Sequence, residues 1–326
     1  MAIVIAEFCQ NHNGDRGVLR EQIQAAAAAG ADVAKIQTIR SSELTYRERF
    51  ETGAVENGVT RCIRRPYAAE LERLQPLDLD AATHEWFGDE CARAGIEPMT
   101  TVFTRAAVPF VASLGWNSVK VASYDCASVP LLADLRLAFD RVFVSTGATL
   151  DDEVAEAAAV LRGGAFSFLH CVTIYPTPLH ELHLARLNFL RQFTPSVGFS
   201  DHTLVARDGI KGSVAAIALG ADVIERHFTV LGSDQTKDGP VSIGPDALAE
   251  LVKFARAPLP DVQRYVAEHV PEAAAMLGEA RRPMSDGELL NRDYYRGRFA
   301  SKIGDRIVFN WEPVEAAELM SDALRT

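Results

Sequence analysis

The sequence predicts an α/β fold: a (β/α)8 TIM barrel with a short C-terminal helical extension. Three observations carry this reading. Strand candidates at 3–7, 33–37, 97–101, 118–121, 142–145, 166–171, 197–200 and 223–227 are short, apolar and mostly β-branched, as strands covered on both faces of a parallel sheet should be. Helical candidates at 17–29, 81–94, 105–114, 129–137, 151–161, 186–192, 206–220 and 248–257 fill the gaps. Eight such units over roughly 250 residues match the size of a barrel. An open doubly wound sheet is the main alternative, but no G-x-G-x-x-G turn follows the first strand, which weakens its dinucleotide-binding version. No short-period solenoid repeat is evident.

Between the second strand and the helix at 81–94, residues 40–79 have mixed charge and no clean period, and read as a long loop with short helical pieces. Residues 1–258 are taken as the catalytic barrel. Residues 259–326 read as one helix over 262–277 and a mixed tail containing Arg281, Arg282, Pro283, Arg296, Arg298 and Lys302, too short for a core of its own.

An apolar content of 48% with 24% charged residues is that of a globular protein in water. The net charge of −11 argues against nucleic acid as a partner, because a phosphate backbone rewards basic surfaces. It leaves a small anionic substrate open, since a pocket can be locally positive. The apolar run at 3–6 is too short for a signal peptide or a membrane span. Cys9, Cys62, Cys91, Cys126 and Cys171 are odd in number and widely spaced, so neither a disulfide framework nor a zinc ribbon is indicated, and a reducing cytoplasm is the simplest location.

Catalytic groups of such barrels sit at the C-terminal ends of the strands. Strand one ends at Glu7 and leads into Asn11, His12, Asn13 and Gly14. The second carries Lys35 and Gln37, and the third ends at Thr100 and Thr101. The fourth leads through Lys120 to Ser123 and Asp125, and the fifth into Ser145, Thr146 and Gly147. His170, Thr173 and Tyr175 follow strand six. VGFSDHT (197–203) closes on Ser200, Asp201 and His202, and VIERHFT (223–229) carries Glu225 and His227, with Asp238 in the next loop.

Taken singly, a Ser or Thr after a strand is most often a turn or cap residue, and a histidine on a strand a satisfied polar group. Lysines inside apolar strands are different, because buried lysines are rare unless paired. Lys35 and Lys120 therefore read as functional, with a structural salt bridge, for instance to Glu225, as the bland alternative. Two lysines with several hydroxyls describe an anion site. Two histidines on neighbouring strand ends suit a divalent metal completed by water and substrate oxygens; alone they are a weak zinc signal.

The stretches AEFCQNHNGD from Ala6, AGADVAKIQT from Ala29, KVASYDC from Lys120, VSTGAT from Val144 and LHCVTIYPTP from Leu169, with the two histidine segments, resemble the sialic acid synthase family in order across residues 1–250. That family lies within the wider group of enzymes that join phosphoenolpyruvate to an aldose. The resemblance implies a barrel synthase in which C3 of phosphoenolpyruvate attacks a sugar aldehyde, water adds at C2 and phosphate leaves. By position it implies His202 and His227 as ligands of manganese or magnesium. It implies Lys35, Thr101, Lys120, Ser123, Ser145, Thr173 and Ser200 as the phosphoenolpyruvate site. Glu7 becomes an acid/base or orienting carboxylate, and Gln37, Asp125, Tyr175 and Asp238 face the sugar, the last two also counted as catalytic.

There are departures. Thr173 stands where the family usually has asparagine, and Thr101-Val102-Phe103 replaces Thr-Pro-Phe. No antifreeze-like domain, which covers the partner's site in family dimers and offers an arginine to the N-acyl group, is recognised after the barrel. Either a separate lid protein serves or the substrate is not N-acetylmannosamine; a homodimer stays open, and Arg296 and Arg298 are candidate substitutes. An aldolase or lyase using a lysine Schiff base, and a non-catalytic binding barrel, are the competing readings.

Overall fold

The protein is described from a computed structural model, covering residues 1–314. Eight parallel strands close into a barrel: β1 (Ile3–Glu7), β2 (Val33–Thr38), β3 (Glu97–Val102), β4 (Ser118–Val121), β5 (Arg141–Ser145), β6 (Ala165–His170), β7 (Val197–Asp201) and β8 (Val223–His227). Each pairs with its neighbours in sequence, and β1 closes the ring against β8, with Glu7 opposite His227. The outer helices are α1 (Arg16–Ala28), α2 (Ala81–Ala94), α3 (Val108–Ser113), α4 (Val129–Ala138), α5 (Asp151–Leu161), α6 (Arg186–Leu190), α7 (Lys211–Ala218) and α8 (Pro245–Arg256). Asp15 caps α1 through the amides of Gly17 and Val18, and Asp80 caps α2 through Thr83.

Alternation along the strands sorts side chains into two cores. Outward residues such as Val4, Ala34, Val119, Val144, Phe168, Phe199 and Ile224 join the helices in the main hydrophobic core. Inward, Ile5, Val33, Met99, Phe143, Leu169 and Val223 form a separate buried cluster that plugs the lower barrel. Two residues further along the same strands, the inward positions become polar.

Several expected elements differ. The helix expected over 206–220 is two, Val205–Asp208 and α7, separated at Gly209, whose φ of 56° does not continue a helix. The helix expected over 262–277 is also two, Leu259–His269 and Ala273–Leu277, with Pro271 between them. The stretch 40–79 contains, besides short helices, a hairpin of Ala54–Glu56 and Val59–Cys62. The tail contains the helix Asp286–Tyr295 and a hairpin of Ser301–Ile303 and Arg306–Val308; its residues 315–326 lie outside the described residues.

The extension packs onto the barrel. Val262, Val266, Val270 and Met276 are buried in the main core. The segment 294–299 is gripped by the 40–79 stretch: Arg47 donates to the Tyr294 carbonyl at 2.6 Å, and the Thr45 amide to that of Arg298 at 3.0 Å. Phe50 meets Tyr294 edge to face at 5.1 Å. Among the described residues, no helix is long and apolar enough to cross a membrane.

Candidate active site

Above the apolar plug, a cleft of 380 Å³ opens at the C-terminal ends of the strands. Its floor is set by strand register. Lys35 stands beside Glu7, and Lys120 beside Thr101, across adjacent strands, while Glu225 stands beside Ser200. All six side chains are buried. Lys35 is ion-paired with Glu7, lies 3.6 Å from Glu225 and donates to Thr101 Oγ1 at 2.9 Å. Lys120 Nζ and Ser200 Oγ each donate to Glu225 Oε1 at 2.8 Å. Gln37 donates to the other oxygen of Glu7 at 3.0 Å. The lysines thus have the salt bridges of the bland reading and also line the cleft.

Two lysines against two carboxylates leave the floor near neutrality and in tension. Burial pulls Lys35 down to about 7, the Glu225 charge resisting and the Lys120 charge adding to the fall. Burial also opposes the charge on Glu225, but Lys120 and Lys35 prevail and hold it well below the ordinary carboxylate range.

The histidines meet. Their ring centroids are 5.2 Å apart at an interplanar angle of 83°, and the Tyr175 ring lies 4.2 Å from that of His202. Burial brings both histidines down to about 3, so each is a neutral imidazole with a lone pair at pH 7. His202 Nδ1 is buried without a hydrogen-bond partner. Sequence reasoning passed over Cys9 as a ligand: its Sγ lies 3.4 Å from His227 Nδ1, and Cys9, His227 and Asp238 bring their ligating atoms within 4.8 Å of one another.

The residue before each histidine lies on the outer side of the barrel wall. Asp201 and Arg226 face outward and form an ion pair with no solvent exposure. Arg226 also donates to Thr203 Oγ1 and the Thr203 carbonyl, both at 3.0 Å, and Asp201 accepts from Ser213 at 2.7 Å. Asp201 and His170, read as strand-end polar groups, are therefore not in the cleft; His170 bonds the Leu182 carbonyl at 2.6 Å behind β6.

Ser123, Ser145, Asp125, Gln37, Tyr175 and Asp238 line the cleft with the residues above. Asp125 is pushed up to about 6 by burial, while accepting from Asn310 at 2.8 Å and Ser128 at 3.0 Å. Thr173 departs from expectation: it is fully buried and outside the lining, its carbonyl accepting from Asn291 at 2.6 Å. Gly147 explains the packing there, since a Cβ would lie 2.6 Å from Cys171 Sγ and 2.7 Å from Thr173 Cγ2.

The tail arginines separate. Arg298 lines the cleft, paired with Glu70 and over the Phe299 ring at 4.7 Å, whereas Arg296 turns away to Glu153 at 3.3 Å and the face of Trp311. The outer wall also holds Gln10, Arg65, Arg73, Lys237, Asn291 and Tyr295, which sequence reading did not single out. Burial, with the charge of Arg73, brings Lys237 down to about 8. No local pattern marks these positions; Arg73 comes from the helix Tyr67–Leu74, Asn291 and Tyr295 from the helix Asp286–Tyr295, and Gln10, Arg65 and Lys237 from loops, all brought together by tertiary contacts.

Known proteins resemble this chain in sequence and in fold. The N,N'-diacetyllegionaminic acid synthase of Campylobacter jejuni is 30% identical over 286 residues, covering 83% of this chain and 79% of that protein. The synthase of the same name from Legionella pneumophila is 30% identical over 318 residues, covering 92% and 83%. Among solved structures, the spore coat polysaccharide biosynthesis protein SpsE of Bacillus subtilis superposes with a TM-score of 0.69 at 25% identity, over 90% of this chain and 77% of that one. The N-acetylneuraminic acid synthetase of Leptospira borgpetersenii, at 24% identity and a TM-score of 0.68 over 90% of each chain, shares the fold. The protein is a carbon–carbon bond-forming synthase built on a (β/α)8 barrel. Within that class it belongs to the NeuB family, whose model matches residues 22–259.

Proposed function

We propose that the protein condenses phosphoenolpyruvate with the aldehyde of an open-chain aldose, an N-acylhexosamine or related sugar, giving a nonulosonic, sialic-acid-like 2-keto-3-deoxy acid and inorganic phosphate. The observation that carries this reading is the shared cleft: Lys35 and Lys120, ringed by Thr101, Ser123, Ser145 and Ser200, lie in the same cavity as His202 and His227. The lysines and hydroxyls suit a ligand with both a carboxylate and a phosphate. Thr173, beneath the lining, is left out of those contacts. Gln37, Asp125, Tyr175 and Asp238 face the sugar, and Arg298 offers a guanidinium in the same cleft.

In the reaction, the new bond joins C3 of phosphoenolpyruvate to the aldehyde carbon, whose oxygen takes up a proton. Water adds at C2 and gives up both its protons, one in balance with the aldehyde oxygen and one to the leaving phosphate, as the C2–O bond to phosphate breaks to leave the ketone. Glu7, paired with Lys35 and hydrogen-bonded by Gln37, is placed to carry one of these protons. The neutral histidines and the unpartnered Nδ1 of His202 fit a divalent metal. His202 and His227 would hold such an ion, which would supply Lewis-acid polarisation of the aldehyde oxygen and positive charge to the cleft.

Phosphate release by the purified protein with Mn2+ should require both phosphoenolpyruvate and an aldose from a panel of N-acylhexosamines and simpler aldehydes, with mass analysis giving the joined product. No release with any aldehyde, or release without one, overturns the reading.

Lys35 adds a pH signature. Free protein loses this positive charge as pH rises through about 7, and a bound anion holds the proton on. The dissociation constant for phosphoenolpyruvate should therefore rise by up to about tenfold per pH unit above 7. Calorimetry from pH 6 to 8.5 measures it, and Lys35→Arg, which stays charged, should flatten the profile. A wild-type profile no steeper than that of the arginine variant removes Lys35 as the titrating group.

A further inference from the structure

We propose that Cys9 is a thiolate ligand of the metal, so that the centre is a mixed sulfur, nitrogen and oxygen site formed by Cys9, His227, Asp238 and His202 rather than a histidine pair alone. The inference rests on the metal reading above and concerns which atoms make the bonds.

The first observation is conformational. Cys9 follows β1 with φ at 40°, in the left-handed region that glycine enters freely and other residues enter at a cost of about 1–2 kcal/mol. A glycine would make the turn without strain, so the side chain has to be useful to be worth having there. The second is the surroundings. Cys9 is buried, yet its sulfur faces a ring nitrogen at 3.4 Å and the Asp238 carboxylate, whereas Cys91 and Cys126 sit in the hydrocarbon core. Two ligands on one tetrahedral metal, at about 2.3 Å for sulfur and about 2.0 Å for nitrogen, are themselves about 3.5 Å apart. The observed 3.4 Å matches that separation.

The third observation is independent of the cysteine. His202 is only 4% exposed, its Nδ1 has no partner, and its ring stands 5.2 Å from that of His227. A buried imidazole nitrogen left unsatisfied, on a ring packed against that of His227, fits a cation ligand. As the sulfur–metal bond forms, the thiol proton passes to solvent. A thiolate in the set favours softer borderline ions such as Co2+ and Zn2+ over Mg2+, which prefers oxygen ligands.

The test is optical. Co2+ added to the metal-free full-length protein should produce a near-ultraviolet sulfur-to-cobalt charge-transfer band. Cys9→Ser and Cys9→Gly should both lack it and bind Co2+ about 100-fold more weakly, a loss that even an outer partner of a metal ligand can cause. Cys9→Gly suits the positive φ, so its melting temperature in the absence of metal should not fall, which separates ligation from folding. Co2+ binding of equal affinity in wild type and Cys9→Gly, with no charge-transfer band, overturns the proposal and leaves the metal reading standing. No Co2+ binding by the wild-type protein overturns both.

Discussion

Replacing His227 with alanine should lower metal-dependent turnover by about 1,000-fold or more, a loss of about 4 kcal/mol of transition-state stabilisation, while the barrel stays folded. The expectation follows from the position of the ring. It points inward at the end of β8, opposite Glu7 in register, beside Cys9 and 5.2 Å from the His202 ring. Being neutral, it holds no ion pair whose loss would strand a buried charge, and its removal leaves only a modest void at the edge of an existing cleft. His202→Ala should behave alike, because the proposed reading places both rings at one centre. The check pairs steady-state phosphate release with circular dichroism and metal titration. A variant with near-wild-type turnover removes that histidine from the mechanism; a variant that loses its fold assigns it a structural role instead.

What the sequence discloses and what it hides follow from how local each signal is. The period-two alternation of Val33, Lys35 and Gln37 states that these share one face, and burying lysines on that face demands partners. Glu225, weighed only as a structural partner, sits between both lysines as well as in the cleft. Which face a residue takes is the less local part of the signal. Asp201 and His202 look like one polar cluster, but adjacent strand positions point to opposite sides, so one belongs to the wall and the other to the cavity. Cys9 was considered only for disulfides and zinc ribbons, since its relation to His227 spans 218 residues. The 40–79 stretch has no period because its stability comes from the far end of the chain, through contacts such as Phe50 with Tyr294. The helix Asp286–Tyr295, read only as part of a mixed tail, does carry a local signal: Ser285 and Glu288 form the reciprocal cap that an S-x-x-E pattern announces.

Arg226→Met should be the most destabilising substitution near the site, by about 3–5 kcal/mol, because it strands the Asp201 carboxylate in a region without water. Burial works against the charge of Arg226, and Asp201 is what sustains it; removing either partner exposes the full desolvation cost of the other. The pair is worth more for placement than for stability. It ties β8 to β7 directly behind the two histidines, and the same guanidinium holds Thr203, the residue after His202, by side chain and backbone. The double variant Asp201→Asn with Arg226→Met carries no stranded charge and should therefore recover much of the lost stability. It should not recover metal affinity, because nothing then pins the His202 loop against β8. Thermal unfolding reads the first effect as a fall of about 4–7 °C for the single variant, and metal titration of the refolded double variant reads the second. Should the double variant bind metal as tightly as wild type, the ion pair is a stabilising contact only, and the histidine geometry is set by the strand ends themselves.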